Sequence, residues 1–130
     1  MRREESRYPQ DWFRIGDREL KRAHNLLHLG DLEGAGVNIQ QAIEKYLKGY
    51  LLARGWELRR IHDLETLLNE AIVYDSSFEE FRAACQKISQ YYVEERYPFT
   101  IHSELNESEI TESLKSAENI FRKIREAFKR

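Results

Sequence analysis

The chain is poor in the residues that staple or break a fold. Its 130 residues include one cysteine, two prolines and six glycines. A lone cysteine, Cys85, excludes an internal disulfide and fits a reducing compartment. Scarce glycine and proline fit long helices joined by few tight turns. No apolar run approaches the ~20 residues that a membrane helix needs. The opening stretch, MRREESRYPQDW, lacks the apolar core of a signal peptide. These absences predict a cytoplasmic protein with no membrane partner. A large excess of one charge is missing too: 21 Lys and Arg stand against 23 Asp and Glu, for a net charge of -2. That argues against a general nucleic-acid coat and leaves room for a local basic site.

Several chemistries lack their residues. There is no glycine-rich phosphate loop and no GxSxG elbow. The four histidines, at 24, 28, 62 and 102, and one cysteine offer little for zinc. His24 and His28 stand one helical turn apart, but no HExxH pattern surrounds them, so they read as surface residues. No metal and no other cofactor is expected. Cys85 lies on the apolar stripe of its helix and reads as a small core residue rather than a nucleophile.

Amphipathic helices fill the chain. The first runs from about Gln10 to Leu29 and stops at Gly30. Asp31 can cap the second, whose Ala35, Ile39, Ala42, Ile43, Tyr46, Leu47, Tyr50 and Leu51 recur at steps of three and four. Gly55 stops that helix. Asp63 is the expected N-cap of a shorter helix carrying Leu64, Leu67, Leu68, Ala71 and Ile72. Ser77 with Glu80 fits a capping box for the next helix, which should fail near Arg96-Tyr97 because of Pro98. Asn106 with Glu109 gives a second capping box, ahead of a clean stripe from Ile110 to Phe128. The expected architecture is all-α: an antiparallel up-and-down bundle of four long helices plus one short helix. A single domain over residues 1–130, with its core from about residue 11, accounts for the whole chain.

Candidate site residues are few. Arg96 precedes His102 with five residues between them, around the proline break. On an unbroken helix the two would stand about 240° apart, so the break is what permits them to converge. His62-Asp63 follows Arg59 and Arg60. There Asp63 reads first as a cap, and the pair could also orient an imidazole beside phosphate-collecting arginines. Lys45 and Lys48 fall on the outward side of the second helix. They are expected to be solvated beside Glu44 and are candidates to contact nucleotide or partner. Tyr91, Tyr92, Tyr97 and Phe99 cluster at the break. They read as core or dimer contacts before base-stacking residues, with Tyr97 kept as a binding candidate.

The second helix contains Gln40-Gln41-Ala42-Ile43-Glu44-Lys45-Tyr46-Leu47-Lys48. It is followed by the Gly55 stop, by His62-Asp63-Leu64, and by Glu95-Arg96-Tyr97-Pro98. In this order the motifs resemble the HEPN family, the higher-eukaryote and prokaryote nucleotide-binding domains, over nearly the whole chain. The resemblance implies an all-α bundle, usually dimeric. It also implies metal-independent endoribonuclease chemistry or its remnants, with an Arg-x(4–6)-His motif at the dimer interface. Carried onto this chain, His102 would move a proton and Arg96 would stabilise charge on the phosphoryl oxygens. The sequence departs from the active pattern. Tyr97 and Pro98 follow the arginine where a polar residue is typical. Glu104 stands where toxins of the family often carry a tyrosine that a partner modifies. The leading expectation is therefore a nucleotide- or RNA-associated component of a two-protein system with a minimal nucleotidyltransferase, of toxin–antitoxin type. The alternatives are an active ribonuclease using Arg96 and His102, and a non-catalytic dimerising adaptor.

Overall fold

A computed structural model describes residues 6–96 and 105–128, with side chains up to Tyr91 in the first of these stretches. The chain order is α1 (Pro9–His28), α2 (Leu32–Ala53), α3 (Leu64–Tyr74), a 3-10 segment (Ser76–Phe81), α4 (Arg82–Arg96) and α5 (Glu107–Ala127). This is the expected all-α bundle, four long helices and one short. The helix boundaries follow from local chemistry. Pro9 sits at the start of α1, where its missing amide costs nothing. Gly30 and Gly55 take positive φ, 84° and 94°, at the ends of α1 and α2. At both ends the chain folds back with paired reverse hydrogen bonds. Asp31 N donates to Leu26 O (2.9 Å), and Trp56 N donates to Leu51 O (2.9 Å). Asp31, Asp63 and Asn106 cap their helices by accepting from Gly34 N, Thr66 N and Glu109 N.

One cap differs from expectation. Ser77 does not open a capping box with Glu80. Its hydroxyl and amide both donate to Asp75 Oδ1, at 2.6 and 3.0 Å. Asp75 caps a 3-10 segment, and α4 begins only at Arg82. The Asp75 carboxylate takes both the Ser77 amide, which a capping box would give to Glu80, and the Ser77 hydroxyl. The hydrogen bonds pull the Asp75 carboxyl below its ordinary value.

The core sits around α2, which packs against α1, α3, α4 and α5. Ile39, Ile43, Tyr46, Leu47 and Leu51 of α2 are buried, as are Leu64, Leu67 and Leu68 of α3, Cys85 and Ile88 of α4, and Ile110, Ile120 and Ile124 of α5. The seam with α1 is the most extensive. A Cβ at Gly16 of α1 would come within 2.5 Å of the Tyr46 ring, and one at Gly49 of α2 within 2.5 Å of the Phe13 ring. Each helix thus offers a glycine to the other's aromatic ring. Tyr46 has little room to retreat. It stacks on Phe121 of α5 at 4.2 Å, and its hydroxyl donates to Asp17 (2.8 Å).

Candidate functional site

On another side of α2 the packing changes character. Glu44 and Lys48, one turn apart, are both buried, with side chains only 2% and 3% exposed. Lys45 and Lys48 each donate from Nζ to Glu44 Oε2 at 3.1 Å. His62 Nδ1 lies 2.9 Å from the same oxygen. An ionised carboxylate only accepts, so His62 donates from Nδ1. The Trp12 ring of α1 faces both ammonium groups, with Lys48 Nζ 5.4 Å and Lys45 Nζ 5.9 Å from its centroid. The Trp12 indole is itself anchored, donating from Nε1 to Ser6 O (2.8 Å).

Burial by itself pushes the Glu44 carboxyl up. Lys45, the His62 hydrogen bond and Lys48 together outweigh that push and hold it below its ordinary value. Burial lowers the Lys48 ammonium, with Glu44 opposing. Two cations share one buried anion, so the cluster carries a surplus of positive charge that Lys45, the more exposed lysine, presents outward.

Lys45 and His62 border a cleft of about 910 Å³ between α2, the start of α3 and α4. Its lining also includes Gln40, Gln41, Glu44, Asp63, Leu64, Glu65, Gln86, Ser89 and Gln90. Most of the charged lining groups are engaged. Asp63 accepts from Thr66 N (3.0 Å) and Thr66 Oγ1 (2.6 Å), as a cap should. Glu65 pairs with Arg82 at 3.5 Å.

The structure therefore treats the sequence candidates unequally. Lys45, His62 and Asp63 come together at the cleft. Lys48 does not project into solvent, as expected of the outward side of α2, but lies buried beneath Trp12 against Glu44. The expectation fails because α1 covers this flank of α2 and because Glu44 supplies a counter-charge at i-4. The partner of the His62 imidazole is Glu44, eighteen residues earlier in sequence, rather than the adjacent Asp63. Arg59 is committed elsewhere, bonded to Glu70 (3.0 Å) and lying over the Trp56 ring (5.3 Å). Arg60 is exposed. Arg96 is the last residue of α4. Tyr97 and His102 lie outside the described residues.

Sequence reasoning missed the glutamines. Gln40 and Gln41 come from α2, Gln86 and Gln90 from α4. A signal existed: Gln86, Ser89 and Gln90 recur at steps of three and four on the side of α4 opposite the apolar stripe. Cys85, by contrast, reads correctly. It is fully buried, and burial pushes its thiol up to about 12. His24 reaches Glu118 of α5 at 3.4 Å. Among the described residues no group of three or more His, Cys, Asp or Glu side chains is placed to hold a metal ion. No helix among them is long and apolar enough to cross a membrane.

The comparisons with known proteins agree with this architecture. The chain is similar in fold to an archaeal HEPN homologue of known crystal structure, with a TM-score of 0.74 at 23% sequence identity, covering 92% of this chain and 97% of that one. No curated protein matches the chain in sequence. The family model of the HEPN domain matches residues 5–127. With a match over nearly its full length, on a bundle of the same fold, the chain belongs to the HEPN domain family.

Proposed function

We propose that this HEPN protein is a single domain that works in the cytoplasm as a homodimer, binding nucleotide or RNA along α4. It is the HEPN component of a two-protein system whose other member is a minimal nucleotidyltransferase. The observation that carries this reading is the placement of α4. One side of the helix lines the cleft with Gln86, Ser89 and Gln90, and the helix runs on to Arg96, where the family motif begins. A ligand lying along α4 would have its polar heterocycle in the cleft and a phosphate toward Arg96, two turns and ~11 Å beyond Ser89 on the same side of the helix. A guanidinium suits that end because it grips phosphate oxygens bidentately.

The ribonuclease reading has one observation in its favour. The described helix α4 reaches Arg96, the first residue of the motif, and convergence of Arg96 with His102 requires a break after the arginine. In that version His102 is the acid/base, Arg96 stabilises the phosphoryl charge, and the ribose 2′-hydroxyl is the nucleophile.

The test is RNA binding and cleavage by the full chain in EDTA, beside Arg96→Ala and His102→Ala. The proposal expects Arg96→Ala to weaken binding about tenfold or more. Cleavage that both substitutions abolish would promote the ribonuclease reading. Binding indifferent to Arg96→Ala would sink the placement along α4. Binding to no RNA or nucleotide at all would leave a dimerising adaptor, whose test is the oligomeric state.

A further inference from the structure

The cleft is built for a neutral polar ligand more than for a phosphate. Among the residues that line it, Glu44 is shared by three donors, Lys45 is paired with it, Asp63 is a helix cap and Glu65 is paired with Arg82. Three lining carboxylates face a single lining ammonium, with Lys48 and Arg82 as neutralising charges behind. A phosphate placed here would meet the Asp63 carboxylate, and the Arg82 guanidinium is already shared between Glu65 and Glu79.

The uncommitted hydrogen-bonding capacity lies in carboxamides. Gln41, Gln86 and Gln90 make no hydrogen bond to any described residue, while Ser89 Oγ donates to Cys85 O (2.8 Å). The deepest amide is Gln40, only 8% exposed. Its Oε1 is buried and finds no donor among the described residues. An unpaired buried acceptor is costly, and such groups are rare unless something supplies the missing bond. Rotation of the terminal amide exchanges Oε1 with Nε2, so Gln40 can offer either end to whatever enters. The four glutamines, two on each wall, each bring a carboxamide with donor and acceptor capacity to the cleft. The exposed imidazole of His62 stands at its edge, with a side chain 69% exposed.

We infer that this amide-lined cleft holds a nucleobase and reads its edge, with Gln40 at the floor and Gln41, Gln86 and Gln90 around it. A carboxamide matches a base edge that sets a donor beside an acceptor, and glutamine's established pairing of this kind is with adenine. The inference rests on the nucleotide-binding reading and deepens it: the phosphate end belongs to Arg96, and selectivity belongs to the cleft.

The experiment uses the full chain and four fluorescein-labelled hexaribonucleotides, one for each base, with affinity read by fluorescence anisotropy. Wild type should prefer the adenine oligomer by about tenfold over the weakest of the four. Gln40→Leu and the surface pair Gln86→Ala with Gln90→Ala should each reduce that spread to about twofold or less. Arg96→Ala should weaken all four alike and keep the spread. Gln40→Leu removes an unpaired amide from a buried position, so its melting temperature should hold or rise. If it does not, the surface pair alone decides. A preference for another base that the glutamine substitutions erase upholds the inference and reassigns the edge. Equal binding to all four, or a preference that survives both glutamine variants, overturns the inference and leaves nucleotide binding standing. No binding to any oligomer overturns both.

Discussion

Along α2, two neighbouring flanks are packed by opposite rules. Toward α1 the contact is dry and close, a glycine against an aromatic ring in each direction: Gly16 against Tyr46, Gly49 against Phe13. Beside that seam α2 carries charged and amide-bearing side chains: Glu44 and Lys48 lie buried near Trp12, and Glu44 and Gln40 line the open cleft toward α3 and α4. The first flank gains from surface removed from water and from dense van der Waals contact. The second carries the cost of desolvating two charges, Glu44 and Lys48, offset by their mutual attraction, the His62 hydrogen bond and the Trp12 ring. The contrast sets a tightly packed apolar seam beside a flank whose buried ion pair depends on its partners.

The comparison can be broken most severely at Glu44. Replacing it with alanine leaves Lys48 buried without its counter-ion, and breaking such a pair costs about 3–5 kcal/mol. Chemical denaturation should show the loss. A loss under about 1 kcal/mol would mean that Lys48 finds another partner. The same carboxyl sets an acid dependence. Its folded-state value lies below the ordinary carboxylate value, so its stabilising contribution is complete above about pH 4.5. The contribution fades as the pH falls through the lower folded-state value, because the unfolded chain binds the proton first. Glu44→Gln should flatten this part of the stability profile.

On the α1 flank, Gly49→Ala tests whether the seam is as tight as its distances imply. The new methyl would meet the Phe13 ring at 2.5 Å. Overpacking of this kind costs about 1–3 kcal/mol, against about 1 kcal/mol gained from alanine's helix propensity. A net loss in denaturant midpoint is expected, and a gain would show that Phe13 swings aside freely. Tyr46→Phe keeps the ring stacked on Phe121 and removes the hydroxyl that donates to Asp17. The cost should be about 1 kcal/mol. The smallest effect is expected away from both flanks. Arg14→Ala removes an exposed ion pair with Asp11 and should change stability by no more than about 0.5 kcal/mol.

Much of the bundle was legible in advance. The spacing of Ile39, Ile43, Tyr46 and Leu47 marks the buried side of α2, and Gly30 and Gly55 mark the helix stops, because both signals act within a few residues. Asp63 was legible as a cap for the same reason. Ser77 shows the limit of that locality, since Asp75 takes its amide and its hydroxyl and leaves no capping box with Glu80. The cleft was far less legible. Lys48 looks like a solvated lysine in any helical projection that ignores α1. His62 looks like the neighbour of Asp63 until the α2–α3 connection brings it to Glu44. The glutamines carry no signature of their own, and only the meeting of α2 with α4 sets four of them around one space.

By itself, then, the sequence determined the helices, most of their caps and stops, and the membership of a helical family. These depend on backbone propensity and short-range periodicity, which are written into consecutive residues. Only the tertiary structure decided which charges are buried and which amides share a cleft. Those outcomes depend on what a distant helix covers, and desolvation changes the worth of a charge or an amide without changing its place in the chain.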